Sequence, residues 1–430
     1  MAASLDPTSR EYKRARRHHY KTTKNRTEGF DTDWTPFRVA EKKYKARFPP
    51  PDLSDVLDLA LLDQARSSEI ERAGWKGYAD TVLTKEIGLR DAQATNARTR
   101  KAFTVTGIPG LVVLPSFVSE GTQRDLILWS LGEHARHPNE TNLDAHYFLP
   151  PSGLWPTYLH SPETIIQPRA PSLMTSPSSD TSGPRRLVSN APASPATFSL
   201  IRSTPRPSPA PSIHAQPLSA AELIPRLRWA NIGWSYHWGT KLYDFTREVQ
   251  AVGEPFRKVC IEVVRSISWH DVFGSPDVES LDDWGDDGPD WQAWEETYEP
   301  DAGIVNFYQT KDTLMGHVDR SEICATSPLV SISLGNAAIF LVGGLTRDVA
   351  PIPILLRSGD IIVMSGPACR RAYHGVPRIL EGTLPAYLGE GTNVDDGLWA
   401  PYARYMDTTR ININVRQVFP KGFNPGPSQT

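Results

Sequence analysis

Cysteine is nearly missing from this chain. Three stand in 430 residues, Cys260, Cys324 and Cys369, far apart and in no CxxC pair. Three cannot all pair, so the pattern argues against a disulfide framework and a zinc ribbon and fits a reducing compartment. Long apolar runs are missing too. None approaches the roughly 18 residues that a membrane span needs, so no membrane partner is expected. Nor does one sign of charge dominate. Lys and Arg total 46 and Asp and Glu 49, a formal net charge of -3. Any affinity for nucleic acid must come from a local basic patch. The opening residues, MAASLDPTSR, lack the apolar segment of a secretory signal. Asp6 and Glu11 fit a mitochondrial transit peptide poorly, because such peptides are poor in acids. A soluble nuclear or cytoplasmic protein is expected, with the mitochondrion a less favoured address.

Proline, by contrast, is abundant at 38 residues, and hydrophobic residues reach only 39%. Globular domains run at about 45–50%. A folded core diluted by disordered stretches is expected. Residues 1–50 read as a basic, flexible N-terminus. Its run SREYKRARRHHYKTTKNR (9–26) suits a solvated tail, a nuclear address or a phosphate-contacting arm. Leu53, Val56, Leu57, Ala60 and Leu61 recur at helical spacing and predict a helix. Leu111–Leu114 predicts a short buried strand, followed by a helix capped by Ser119. Residues 51–160 thus read as a helical extension with one strand–helix unit. The Pro/Ser-dense segment 161–217 reads as a disordered insertion. An acidic stretch, 275–301, carries Trp284, Trp291 and Trp294, which are expected to fold back onto the body. Its acidity places it off any nucleic-acid face. From 302 to 420, short β-type runs are punctuated by Gly and Pro, and helical stripes are absent. This is the texture of an antiparallel barrel or jelly roll. Residues 218–420 form the expected catalytic domain, and 421–430 a tail.

Strand periodicity sharpens the picture. In RININVR, Ile411, Ile413 and Val415 face one way, and Arg410, Asn412, Asn414 and Arg416 the other. In GIVNFYQ, Asn306 and Tyr308 share a face with Ile304. One such strand would be an ordinary solvent face. Two at matched spacing suggest a polar pocket inside a barrel. GHVDRSE holds His317 and Asp319 two apart, and His374 follows in YHGVPRI. The histidine and aspartate suit a surface turn equally well when taken alone. With His374 they make a two-His-one-carboxylate set, which leaves coordination positions open and suits non-haem Fe(II) oxygenases. Arg410 adds a planar fork that matches a carboxylate. A zinc-hydrolase reading leaves that arginine unexplained.

Four stretches, NFYQTKDTLMGHVDRSE, SISLGNAAIFLVGG, SGDIIVMSGPACRRAYHGVPRI and RININVRQV, together resemble the AlkB family of Fe(II)/2-oxoglutarate dioxygenases, in its eukaryotic homologue 1 branch. The likeness covers Leu227 to Val418 and, more weakly, 75–150. It implies an α+β fold: a double-stranded β-helix (jelly-roll) core flanked by helices. It implies that His317, Asp319 and His374 bind Fe(II), and that Arg410 binds the distal carboxylate of 2-oxoglutarate. Asn306 and Tyr308 would hydrogen-bond this co-substrate. Asn412 and Arg416 match the other positions of the family's arginine strand, with Arg416 near the proximal carboxylate. O2 would be the second co-substrate.

The sequence departs from the bacterial pattern at Ser321, where bacterial members carry an aspartate that helps select the base. Ser321 and its neighbour Glu322 are therefore candidate substrate contacts, and bacterial specificity does not carry over. LRWANIGWSYHW (227–238) would correspond to the lid over the base. Of its aromatics, Trp234 and Tyr236 are the candidate base contacts, although each could equally be core. Arg226, Arg228 and the basic run could meet phosphates or simply face solvent. The implied activity is oxidative removal of an N-methyl group from a base taken out of its stack. The expected partner is tRNA carrying 1-methyladenosine, with DNA N6-methyladenine second; the branch is also associated with 5-methylcytidine oxidation. A monomer is expected. A protein hydroxylase or histone demethylase of the same fold is the alternative. A non-catalytic nucleic-acid-binding scaffold is disfavoured, because all three ligands and both arginines are present.

Overall fold

The computed structural model describes residues 34–90, 100–170, 192–207, 209–275, 288–391 and 396–426, with Trp284 and four residues of the basic run, Arg10, Lys13, Arg14 and Arg17. The rest of that run and residues 171–191 of the Pro/Ser segment lie outside the described residues. Among those described, no helix is long and apolar enough to cross a membrane.

The strands run in chain order as β1 (Thr84–Ile87), β2 (Ala102–Val105), β3 (Leu111–Leu114), β4 (Ile165–Ile166), β5 (Leu218–Ser219), β6 (Trp229–Gly233), β7 (Tyr236–His237) and β8 (Leu242–Tyr243). They continue as β9 (Ala302–Gln309), β10 (Leu314–His317), β11 (Leu329–Gly335), β12 (Ala338–Val342), β13 (Ile352–Leu356), β14 (Ile361–Met364), β15 (His374–Ile379) and β16 (Thr409–Arg416). One antiparallel sheet has the order β1-β2-β3-β14-β11-β16-β9-β6, and a second the order β10-β15-β12-β13. Tyr308, Leu329 and Met364 of the first sheet share an apolar cluster with Phe340, Ile354 and Val376 of the second, so the sheets pack face to face. The outer face of the large sheet is covered by helices. Phe256, Val263 and Val264 of α4 (Glu254–Ser266) pack there with Ile411, Ile413 and Val415, the apolar face expected for β16. Trp291 and Trp294 of the acidic stretch join that core, as their expected fold-back requires.

Several expectations are corrected. The N-terminal 50 residues are not all a tail: α1 (Pro36–Lys45) buries Phe37, Glu41 and Tyr44 against the small sheet. Helical spacing at 53–61 does not give an α-helix. Leu57 instead bridges Ile354 through backbone bonds to β13, and only a 3-10 turn, Leu59–Leu62, follows. The apolar positions are buried because the segment lies along a sheet edge, and backbone pairing there replaces helical pairing. The strand at Leu111–Leu114 is correct, and Ser119 does cap α2 (Glu120–Trp129), accepting from Thr122 N at 3.2 Å. This unit is no separate extension, however, since β3 pairs with β14 inside the catalytic sheet. Nor is the described part of 161–217 without structure. β4 pairs with β5, and α3 (Phe198–Ser203) buries Phe198 and Ile201 in an aromatic nest with Trp234, Phe245 and Phe419. Two apolar side chains at helical spacing suffice to dock a short helix. Finally, 302–420 does contain a helix, α5 (Asp396–Met406), with Pro401 inside it.

Candidate functional site

The two histidines expected to bind metal face each other across a strand pair. β10 and β15 are antiparallel, and His317 stands opposite His374 in register. Their ring centroids are 4.4 Å apart. Asp319 lies just past the end of β10, with its carboxylate 3.5 Å from His317 Nε2. One ligand atom from each of the three lies within 4.8 Å of the others. The backbone holds both rings the same way. His317 Nδ1 donates to the Met315 carbonyl at 3.0 Å, and His374 Nδ1 to the Ala372 carbonyl at 3.0 Å. A carbonyl can only accept, so Nδ1 carries a proton in both rings and Nε2 is the nitrogen turned to the cluster.

Charge is arranged to match. Burial alone would raise the Asp319 carboxyl, but Arg416 and the two histidines outweigh it and hold the group well below the usual carboxylate range. Arg416 Nη1 donates to Asp319 at 2.7 Å and to Glu322 at 2.6 Å. Burial and the neighbouring His317 push His374 down to about 4, so it is neutral near pH 7. Burial works against a charge on His317, yet its bond to Asp319 prevails and raises its pKa.

β10 itself is seated by α1. Gly316 N donates to Glu41, and Arg347 donates to the Gly316 carbonyl at 2.9 Å. Gly316 must be small: a Cβ there would lie 2.4 Å from the Phe37 ring.

Arg410 is the second feature. It is 1% exposed on β16, opposite Tyr308 of β9, as Asn412 is opposite Asn306. One nitrogen, Nη2, donates to Ser333 at 2.9 Å, while Nε and Nη1 have no partner. Burial pulls its pKa down to about 10, still charged at neutral pH. A buried guanidinium with two free donors is costly unless an anion meets it. The side chain therefore fits a bidentate carboxylate, the group that 2-oxoglutarate would bring.

A family model described as 2OG-Fe(II) oxygenase superfamily matches residues 187–416, more than half of the chain. The chain belongs to the 2OG-Fe(II) oxygenase superfamily. Among its relatives are an Arabidopsis thaliana protein named DNA N(6)-methyladenine demethylase ALKBH1A, 29% identical over 90% of this chain and 97% of the relative. A Schizosaccharomyces pombe protein named tRNA demethylase abh1 is 27% identical over 89% and 96%. A Mus musculus protein named nucleic acid dioxygenase ALKBH1 is 29% identical over 90% and 84%. The chain is a dioxygenase of the AlkB homologue 1 branch.

The remaining expected site residues of this oxygenase divide. Asn412 lines the same strand face, but its amide donates to Ser331 at 2.8 Å and to the Ile332 carbonyl at 3.1 Å. Arg416 donates to Asp319, Glu322 and Asn414 and so braces the Asp319 carboxylate, while its Nε has no partner. Ser321 is buried, and Glu322 is 1% exposed and held by Arg416. Glu322 is thus a support for that arginine rather than an open substrate contact. Trp234 is core: its ring packs on Phe245 at 5.3 Å and on Phe419 at 5.8 Å. Gly233, with φ 64°, turns the chain just before it. Tyr236 stays half-buried at the site, close enough to Asp319 and Glu322 to feel their charge. It touches Trp238 edge-on at 5.1 Å, and Trp238 lies 5.2 Å from Trp229. Trp238 is 43% exposed and is the open aromatic of the group.

Sequence reasoning passed over Ser331 and Ser333, although the alternation in LVSISLG places both on one face of β11, where they accept from the diagonal neighbours Asn412 and Arg410. It also passed over Arg371, whose only signal was a doubled arginine before the metal histidine.

Proposed function

We propose that this chain is an Fe(II)- and 2-oxoglutarate-dependent demethylase of methylated nucleobases, with tRNA 1-methyladenosine first and DNA N6-methyladenine second. The observation that carries the reading is the pairing of the His317–Asp319–His374 cluster, carried by the small sheet, with the buried, half-partnered Arg410 on the large sheet that faces it. The facing sheets support a double-stranded β-helix core. The three ligands would hold Fe(II), with both Nδ1 protons on backbone carbonyls fixing the rings. Bound there with 2-oxoglutarate and O2, the iron centre supplies oxidation of an N-methyl group, coupled to decarboxylation of the co-substrate to succinate. The protein's part is orientation. Arg410, with Ser333 behind it, fixes the distal carboxylate, and Tyr308 and Asn306 on the paired strand would hydrogen-bond the same molecule. Arg416 keeps Asp319 ionised and aimed.

Tyr236, Trp238 and Trp229 would form the stacking surface for an extruded base. Stacking is worth about 1–3 kcal/mol per base. A loop base in tRNA is already unstacked, so its capture costs little. The names of the relatives point to nucleic acid while differing in which one.

The test is formaldehyde release with Fe(II), 2-oxoglutarate and ascorbate, on 1-methyladenosine tRNA and on N6-methyladenine DNA. Formaldehyde from tRNA, lost in Asp319→Ala, is expected. Succinate without formaldehyde from either substrate would overturn the substrate assignment.

A further inference from the structure

Residues 192–207, within the Pro/Ser stretch, do more than return the chain to the sheet. Ala193 N donates to the Arg320 carbonyl at 2.7 Å, so the strap that begins here meets the loop carrying Asp319. A single guanidinium closes the junction. Arg371 Nη1 donates to the Asp319 carbonyl at 2.6 Å, and Arg371 Nη2 donates to the Ala193 carbonyl at 3.2 Å. Three residues after Arg371, at the first position of β15, stands the metal ligand His374. One side chain thus links the backbone of one ligand, the approach to another, and the strap.

The strap is firmly seated. Phe198 and Ile201 are buried under Phe245 and Phe419, and Arg206 donates to the Tyr243 carbonyl at 3.1 Å. At its far end the Pro207 carbonyl meets His237 Nε2 at 3.0 Å, between the aromatics Tyr236 and Trp238. The same short segment therefore touches the metal loop at one end and the aromatic turn at the other.

We propose that Arg371 is a positioning residue, and that the strap 192–207 holds the Asp319 loop through it. The proposal rests on the reading of Asp319 as a metal ligand. Each carbonyl accepts one bond from the same guanidinium, and because that fork is planar and rigid it fixes the Asp319 and Ala193 carbonyls relative to each other. With the Asp319 backbone tethered and its carboxylate held by Arg416, the ligand is restrained at both ends. Loss of the tether would leave the carboxylate charged but less well placed.

The experiment titrates Mn(II), a stable divalent stand-in, into metal-free full-length protein and follows free Mn(II) by electron paramagnetic resonance. Wild type, Asp319→Ala, Arg371→Ala, Arg371→Lys and Ala193→Pro are compared, with circular dichroism to verify the fold. Outer partners of metal ligands are worth about 10–100-fold in metal affinity. Arg371→Ala is expected to bind about tenfold more weakly with an unchanged fold. Arg371→Lys, which reaches one carbonyl only, should fall between. Ala193→Pro, which deletes the N–H given to Arg320, should weaken binding as well. Wild-type affinity in Arg371→Ala and Ala193→Pro would overturn the proposal; if Arg371→Ala does not fold, wild-type affinity in Arg371→Lys would do so. Binding that Asp319→Ala leaves intact would instead overturn the metal-site reading beneath it.

Discussion

At the scale of single residues, the cluster of His317, Asp319 and His374 was legible and its surroundings were not. His317 and Asp319 lie two apart at the end of a strand, a spacing that puts both on one side, and a distant histidine completes the set. Periodicity names a face but not what covers it. Trp234 and Tyr236 are two apart, yet Trp234 lies between β6 and β7, not in a strand, and packs into the aromatic nest of Phe245 and Phe419. Glu322 looked like an open contact because no pattern shows that Arg416 reaches it. The charges give a pH prediction. His317 has a raised pKa and must lose its proton to bind metal, whereas His374 is already neutral and Asp319 already ionised. Metal affinity should therefore fall as pH drops through the raised pKa of His317, by up to about tenfold per unit. Mn(II) titration from pH 8 to pH 6 checks this, and a flat profile would contradict it. Trp238→Ala should weaken binding of methylated tRNA by about 1–3 kcal/mol and leave succinate formation without nucleic acid unchanged. Fluorescence anisotropy with labelled tRNA reads the first effect.

At the scale of elements, strand type was readable where the burial pattern alternates or is continuous, as in β16 and β3. The helix expected at 53–61 failed because a segment lying on a sheet edge can show helical spacing by chance. α1 was hidden inside a basic, proline-flanked stretch, yet it seats the strand that carries His317. Gly316 is the closest point of that packing, and Gly316→Ala would drive a methyl into Phe37. Overpacking of this kind costs about 1–3 kcal/mol. Chemical denaturation should show that loss, together with weaker metal binding, because His317 follows immediately. A variant as stable as wild type would show that α1 does not clamp this strand.

At the scale of the whole molecule, the expected domain boundaries dissolved. Residues 84–114 complete the large sheet, and 51–78 are locked to the small one. Asp58 and Arg357, both essentially unexposed, pair at 2.7 Å, and the same carboxylate accepts from Gly77 N at 3.2 Å. Asp58→Ala would strand a buried guanidinium, at a cost of about 3–5 kcal/mol, seen as one cooperative transition shifted to lower denaturant. Long-range pairs of this kind leave no trace in local sequence, which is why the N-terminal half read as an extension.

The proposed activity needs an iron cluster and a carboxylate-binding arginine working in one cleft. Its most direct measurement is the 2-oxoglutarate dependence of Fe(II)-driven succinate formation in wild type, Asp319→Ala and Arg410→Ala. The account predicts no succinate at any co-substrate level for Asp319→Ala. For Arg410→Ala it predicts a KM raised by about 30-fold or more, since removing one partner of a buried charged pair costs 2 kcal/mol or more, with turnover partly recovered at saturation. Succinate formed by Arg410→Ala at the wild-type KM would contradict it.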